Sequence, residues 1–391
     1  MRKVNAAKRL FILGTYGCGN RGDEAILESV VRYFQDADIW ITNGKCDDMR
    51  KYLPVRTVRC RLAEGKITPS VFFSILFHSF HQLYRILCSD ALIYGGGSSI
   101  HDLTPYNLVY MFFWQWVAQH FGKKVFYLGM GIGPIATERG KKLCRKFLSK
   151  ADGLYARDDR GYQLCVDQGI RNVQRSCDLA FYQNGPEPQR ADILTAAGFT
   201  SGSYITVSAS QWFQSTNFWD RNRMDFSSEV ENFARCLETL HGFYRMPLLF
   251  MPTFHYDMML GQELEQKLGS DVLTCHLESA SLTEMSEMIA NAHLHFGVRM
   301  HSIIFALRRG TPVLPVIYDE KVRQLLMRFP GVGELAIDLK TLTPEALREK
   351  LIALESKREL RIVEITNVKD TLYQEAKASL DETAARINSY A

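Results

Sequence analysis

A chain of 391 residues exceeds what one hydrophobic core normally supports, so two domains are expected. Its 46% apolar and 23% charged residues are those of a soluble globular protein, and a formal charge of +4 with no basic stripe excludes a nucleic-acid binder. The nine cysteines are an odd number with no C-x-x-C pair and no zinc-type Cys/His spacing, so they read as reduced, mostly buried thiols.

In chain order, Met1 to Leu10 is basic and leads into a short strand, without the apolar stretch and cleavage site of a secretory signal. That points to a cytoplasmic address. Short apolar strands then alternate with helical segments, the pattern of a parallel sheet flanked by helices. Strands are expected at Arg9 to Leu13, Ile39 to Thr42, Ala91 to Tyr94, Val125 to Leu128 and Gly153 to Ala156. Helices are expected at Asp23 to Phe34, Leu108 to Phe121 and Glu138 to Ser149. The stretch VFFSILFHSFHQLYRIL, residues 71–87, is apolar but interrupted by His78, His81, Gln82 and Arg85, too short and too polar for a membrane span. A helix packed in a core is the favoured reading. The other is a helix lying on a membrane surface, a peripheral contact that needs one apolar face left exposed.

Turn formers from Tyr182 to Pro188 interrupt the alternation and set a domain boundary, with a first domain over 1–183 and a second over 190–343. The second repeats the pattern, with strands at Tyr204 to Ser208, Leu248 to Met251, Val272 to Cys275, Leu294 to Val298 and Val313 to Val316. Its helices are expected at Ser228 to Tyr244, Met258 to Leu268, Leu282 to Asn291 and Ser302 to Arg309. From Pro344 the chain is charged and helix-prone through Ile387, an outer helical segment over 344–391. The expected fold class is α/β: two doubly wound, Rossmann-like domains with a cleft between them, followed by C-terminal helices.

Three glycine loops end strands of the first domain. In the first, Gly17, Gly19 and Gly22 satisfy G-x-G-x-x-G, the dinucleotide fingerprint. The acidic residue that should close the second strand is missing, however, since Ile41-Thr42 runs into Asn43-Gly44. Asp23 and Glu24 would also oppose a pyrophosphate at the helix start. A tight turn whose Asn20, Asp23 and Glu24 face a neutral, hydroxyl-rich ligand is preferred. The second loop, Gly95 to Asp102, lets a ligand approach the backbone at Gly96 and Gly97 and sets Asp102 beside it as an acid or base. The third, Gly129 to Pro134, reads as close packing. Arg157, followed by Asp158-Asp159-Arg160, is either a local ion pair or a ligand contact at the same edge.

In the second domain, Arg299-Met300-His301 lies between an apolar strand and a helical run, where open α/β sheets bind anions. Lys321, within Tyr318-Asp319-Glu320-Lys321-Val322, adds a second cation after the next strand. The pair points to a small, strongly anionic substrate. His293 and His295 alternate on one strand without clustered carboxylates, so they read as structural and no metal is expected.

Taken in order, these residues resemble the polysaccharide pyruvyl transferase family. The matching pieces are Gly-Asn-x-Gly-Asp-Glu at Gly19 to Glu24, the triple glycine with Asp102 five residues beyond it, Gly-x-Gly-Ile-Gly-Pro at Gly129 to Pro134 and the Arg-Asp at Arg157. They continue with Asp-x-Ala-Phe at Asp178 to Phe181, Arg-x-His at Arg299 to His301, and Tyr-Asp-x-Lys-Val at Tyr318 to Val322. The resemblance implies an architecture like the two-domain GT-B glycosyltransferases and transfer of pyruvate from phosphoenolpyruvate to two hydroxyls of a sugar, forming a cyclic ketal and releasing phosphate. It implies no cofactor.

On this resemblance Arg157, Arg299 and Lys321 hold the donor's carboxylate and phosphate. His301 protonates the methylene carbon and Asp102 takes the hydroxyl proton, two roles that are exchangeable. Asn20, Asp23 and Glu24 would contact the acceptor. That acceptor would be lipid-linked, at the inner membrane face, if the residue 71–87 helix exposes its apolar side, and soluble otherwise. Three positions depart from the family pattern. Ser208-Ala209-Ser210-Gln211-Trp212 stands where the family often has Ser-x-Arg, Glu320 where Pro is common, and Met300 replaces Leu. Two other readings stay open: a nucleotide-sugar glycosyltransferase of the same architecture, and a non-catalytic glycan-binding relative.

Overall fold

A computed structural model describes residues 8–44, 48–59, 69–97, 100–104, 107–182, 198–210, 227–275 and 281–389. The turn formers at 183–188, together with Ser98-Ser99 and Gln211-Trp212, lie outside the described residues. The chain divides into two compact units, Met1–Asn184 with Leu372–Ala391, and Gly185–Thr371.

The first unit is built on seven parallel strands: Arg9–Leu13 (β1), Asp38–Asn43 (β2), Arg56–Arg59 (β3), Ala91–Gly95 (β4), Lys124–Met130 (β5), Gly153–Ala156 (β6) and Val173–Arg175 (β7). Their order is β3-β2-β1-β4-β5-β6-β7. The central strands read as unbroken apolar runs because helices cover both faces of such a sheet. Leu10, Phe11 and Ile12 are fully buried, and Leu10 and Ile12 pair with Ala91 and Ile93 of β4. The helices are Arg21–Tyr33 (α1), Pro69–Cys88 (α2), Asn107–His120 (α3), Glu138–Leu148 (α4) and Asp159–Asp167 (α5).

The second unit has six parallel strands, Ile205–Ser208 (β8), Leu248–Phe250 (β9), Leu273–Cys275 (β10), Leu294–Gly297 (β11), Val313–Ile317 (β12) and Ile337–Asp338 (β13), in the order β10-β9-β8-β11-β12-β13. Its helices are Ser227–Tyr244 (α6), Asp257–Leu268 (α7), Leu282–Ala290 (α8), Met300–Arg309 (α9), Glu320–Leu326 (α10), Pro330–Gly333 (α11) and Pro344–Ser356 (α12). Chain order reverses between β1 and β4 in one sheet and between β8 and β11 in the other. A doubly wound sheet opens a crevice at the carboxyl ends of its strands at such a point, so these two places position the candidate residues.

Strands β3, β7 and β13 were not expected from the sequence. Each is short and largely polar, Arg-Thr-Val-Arg, Val-Gln-Arg and Ile-Asp, because each is an edge strand with little to bury. The expected outer segment over 344–391 is also redrawn. Helix α12 packs on α6, and the last helix, Arg358–Asn388 (α13), belongs to the first unit from Leu372 onward. Leu372, Ala376, Leu380, Ala384 and Ile387 are buried at the three- and four-residue spacing of one helix face.

Candidate active site

In the second unit, β11 ends at Gly297, and Val298 and Arg299 turn the chain into α9. Gly297 admits no side chain, since a Cβ there would lie 2.8 Å from His295 Nε2 and from Ile303. Arg299 is the residue that precedes the helix, and its side chain does not cap the first turn. His301 is half-buried in that first turn.

The Arg299 guanidinium is shared. It donates a bidentate fork to Asp257, from Nε to Oδ2 at 3.0 Å and from Nη2 to Oδ1 at 2.5 Å. Asp257 is wholly buried at the start of α7 and also accepts from the Phe254 N–H at 3.1 Å. Burial pushes its carboxyl above the ordinary value and Arg299 pulls it back. The pair is ionised, because a fork of this geometry needs both charges. Nη1 is not engaged by Asp257. Tyr318 interacts with the same guanidinium, and Lys321 Nζ lies 5.1 Å from the centre of the Tyr318 ring and 3.9 Å from Asp319 Oδ2. Arg299, His301, Tyr318 and Lys321 thus follow the carboxyl ends of the adjacent strands β11 and β12.

Beneath this edge runs a buried polar chain. Thr206 Oγ1 lies 3.0 Å from His295 Nδ1, His295 Nε2 lies 2.9 Å from Ser302 Oγ, and Ser302 Oγ lies 2.5 Å from Ser208 Oγ. Burial lowers the His295 imidazole to about 3, so it is neutral and structural. Ser210, where the family often carries Arg, is buried.

The first-unit edge holds the other candidates, mostly tied into the fold. Asn20 caps α1, its Oδ1 accepting from Gly22 N at 3.1 Å. Its amide donates to Asp23 Oδ2 at 2.9 Å, which also accepts from Thr15 Oγ1 at 3.1 Å. Glu24 is wholly buried and pairs with Arg21 at 2.8 Å. The motif read as facing a hydroxyl-rich ligand therefore spends these polar groups on its own turn, where Gly17 and Gly19 take positive φ.

Gly96 and Gly97 also take positive φ, and the Gly97 carbonyl accepts from Gly131 N at 3.1 Å, which joins the second and third glycine loops. The Asp102 carboxylate accepts from Ala136 N at 2.9 Å and from Thr137 N and Oγ1, both at 2.6 Å. Burial would raise it, but the Thr137 hydroxyl and these N–H groups bring it below the ordinary carboxylate value. Such a carboxylate is a clamp and a weak base. Arg157 is buried, 3.4 Å from Asp178 Oδ2 and 3.7 Å from Asp158 Oδ2. It lies in the first unit, whereas Arg299 and Lys321 belong to the second.

Asp257 was missed in the sequence. The available signal was its place in Phe254-His255-Tyr256-Asp257, just beyond the end of β9. His101 was missed as well. It is half-buried, its Nδ1 has no hydrogen-bond partner among the described residues, and burial lowers its pKa against the opposing pull of Asp102. Among the described residues no group of three or more His, Cys, Asp or Glu is arranged to hold a metal ion.

The sequence profile of the polysaccharide pyruvyl transferases matches residues 20–320. The chain belongs to the polysaccharide pyruvyl transferase family. It is also 24% identical to the amylovoran biosynthesis protein AmsJ of Erwinia amylovora, over 88% of this chain and 91% of that one. Among solved structures it is similar to the UDP-GlcNAc 2-epimerase of Neisseria meningitidis, with a TM-score of 0.62 and 11% identity over 96% of this chain and 98% of that one. The HepE protein of Anabaena, solved with UDP and glucose, gives a TM-score of 0.60 and 11% identity over 98% and 100%. These likenesses identify the fold as GT-B, and the family makes the protein a transferase of polysaccharide biosynthesis.

Proposed function

We propose that this pyruvyl transferase moves pyruvate from phosphoenolpyruvate onto two hydroxyls of a sugar, closing a cyclic ketal and releasing phosphate. The observation that carries the reading is the Arg299, His301, Tyr318 and Lys321 group beside the uncapped start of α9. A donor bearing a carboxylate and a phosphate needs several cations and N–H groups at one edge.

In this scheme Arg299 and Lys321 take the donor's anionic groups and His301 gives a proton to its methylene carbon. The adjacent carbon becomes electrophilic and one sugar hydroxyl adds to it, losing its proton to a base. The second hydroxyl then displaces phosphate, which departs with the electrons of its C–O bond and takes up the second proton. Asp102 was read from sequence as that base. His101 next to it, whose pKa burial lowers, is the alternative candidate for that base, because the Asp102 carboxylate is engaged by Ala136 and Thr137. The acceptor side is the first unit's edge around Gly96 and Gly97, and a cytoplasmic location fits the donor's supply.

The test is phosphate release from phosphoenolpyruvate by the purified protein with a panel of lipid-linked and soluble glycans. Release should depend on the acceptor, yield a glycan heavier by one pyruvate ketal, and fall at least about 100-fold in His301→Ala, the scale of a lost general acid. If phosphoenolpyruvate fails to bind while a nucleotide sugar binds, the reading gives way to a glycosyltransferase.

A further inference from the structure

Helix α3 covers the first sheet with Leu108, Met111, Phe112, Trp114, Val117 and Ala118. A helix that only did so would carry polar residues on its other side. Instead Val109, Phe113 and Trp116 face outward at helical spacing, the last two 50% and 54% exposed with ring centres 6.4 Å apart. Helix α2 runs beside it, joined by the Tyr110 hydroxyl donating to Gln82 Oε1 at 2.9 Å, and exposes Phe80 and Tyr84 one turn apart. Large apolar side chains left exposed on two adjacent helices mark an interaction surface.

The other neighbour supplies the charge. Helix α4 packs on α3 through the Phe112 and Phe147 rings, stacked 4.9 Å apart, and through Gln115 Nε2 donating to the Phe147 carbonyl at 2.7 Å. Its sequence ERGKKLCRKFL holds five basic residues and one acid, Glu138, which pairs with Lys141 at 2.7 Å. Gly140, Cys144 and Leu148 face inward, while Arg139, Lys142, Arg145 and Lys146 are exposed, with Lys150 just beyond the helix.

We propose that the α2, α3 and α4 face of the first unit docks on an anionic lipid bilayer. The Phe113 and Trp116 rings enter the headgroup boundary and the α4 cations lie against lipid phosphates. Aromatic rings beside a polybasic helix are the pairing such a surface selects. The charge argues against a second copy of the chain, since a two-fold pairing of this face would bring two basic helices into one interface. No helix among the described residues is long and apolar enough to cross a membrane, so the contact is peripheral. The sequence expectation confined it to residues 71–87; α3 and α4 now carry most of it. The inference stands whether or not the donor is phosphoenolpyruvate.

The experiment is flotation of the full-length protein with phosphatidylcholine vesicles and with vesicles that also contain phosphatidylglycerol. Partitioning should be at least about ten-fold stronger on the anionic vesicles and weaken with salt. Phe113→Gln with Trp116→Gln should lower it about ten-fold at an unchanged thermal midpoint. Lys142→Glu with Arg145→Glu and Lys146→Glu should abolish the preference for anionic lipid. The proposal is overturned if the wild type does not float with the anionic vesicles, or if neither variant changes its flotation. It is also overturned if the wild type is a dimer in solution that the Phe113 and Trp116 changes convert to a monomer, which would give the face to a second copy.

Discussion

Arg299 could be picked out in the sequence as a cation at a strand end, but not what it costs to keep it there. The carboxylate that holds it comes from a different helix, 42 residues earlier, and such long-range pairs leave no local pattern. Replacing Asp257 by Ala would strand a guanidinium whose side chain is only 16% exposed. Breaking a buried pair by removing one partner loses about 3–5 kcal/mol, so Asp257→Ala should lower the urea midpoint markedly, and it should lower transferase activity beyond that because the fork no longer aims Arg299. A midpoint equal to the wild type's would mean that the pair does not form.

His295 makes a second residue-scale case, this time in pH. Its ordinary value of 6.5 falls to about 3 on folding. The unfolded chain therefore takes up a proton that the native one refuses. The stabilising effect of keeping it neutral is complete above 6.5 and is lost progressively as the pH falls toward about 3, at up to about 1.4 kcal/mol per unit. Urea titrations between about pH 6.5 and pH 5, where few carboxylates change state, should give a falling stability in the wild type and a flatter one in His295→Asn. Parallel slopes would remove His295 from the account.

Elements were legible wherever an apolar run had to be buried and obscure wherever polar side chains finished the job. Helix α4 begins properly only because Thr137 caps it, its Oγ1 accepting from Gly140 N at 2.9 Å while donating to Asp102 at 2.6 Å. Gly140 is small by necessity, since a Cβ would sit 2.6 Å from Asp102 Oδ2. Nothing in the sequence ties residue 102 to residue 137, which is why Asp102 read as free chemistry at a glycine loop. Asp102→Ala should lower stability by about 0.5–1.5 kcal/mol, the net loss of hydrogen bonds whose Ala136 and Thr137 donors are exposed and turn to water instead. Chemical denaturation monitored with acceptor-dependent phosphate release separates the roles. A catalytic base would lose activity at unchanged stability, whereas a clamp loses stability first.

At the scale of the molecule, the two restarts of the strand and helix alternation were readable because parallel strands buried on both faces need continuous apolar runs, as in Leu10 to Leu13 and Val313 to Val316. The closing helix was not, since its apolar face is carried by widely spaced residues in a charged stretch. From Leu372 its contacts are with the first unit. Cys177 Sγ lies 3.1 Å from the Leu372 carbonyl, Ser379 Oγ lies 2.7 Å from Ser176 Oγ, the Tyr33 hydroxyl donates to Asp381 at 2.5 Å, and Gln174 donates to Glu382 at 2.9 Å. The first unit is thus completed by residues the chain supplies last. Burying Leu372, Leu380 and Ile387 contributes about 1.5–3 kcal/mol for each side chain, a total comparable with the ~5–15 kcal/mol margin of a domain. A chain ending at Thr371 should therefore leave the first sheet unstable while β8 to β13 keep their core. Amide exchange should show strands β1 to β7 losing protection and the second unit retaining it. Equal loss in both would mean that the two units unfold as one, and no loss would mean that the first sheet closes its own core without the helix.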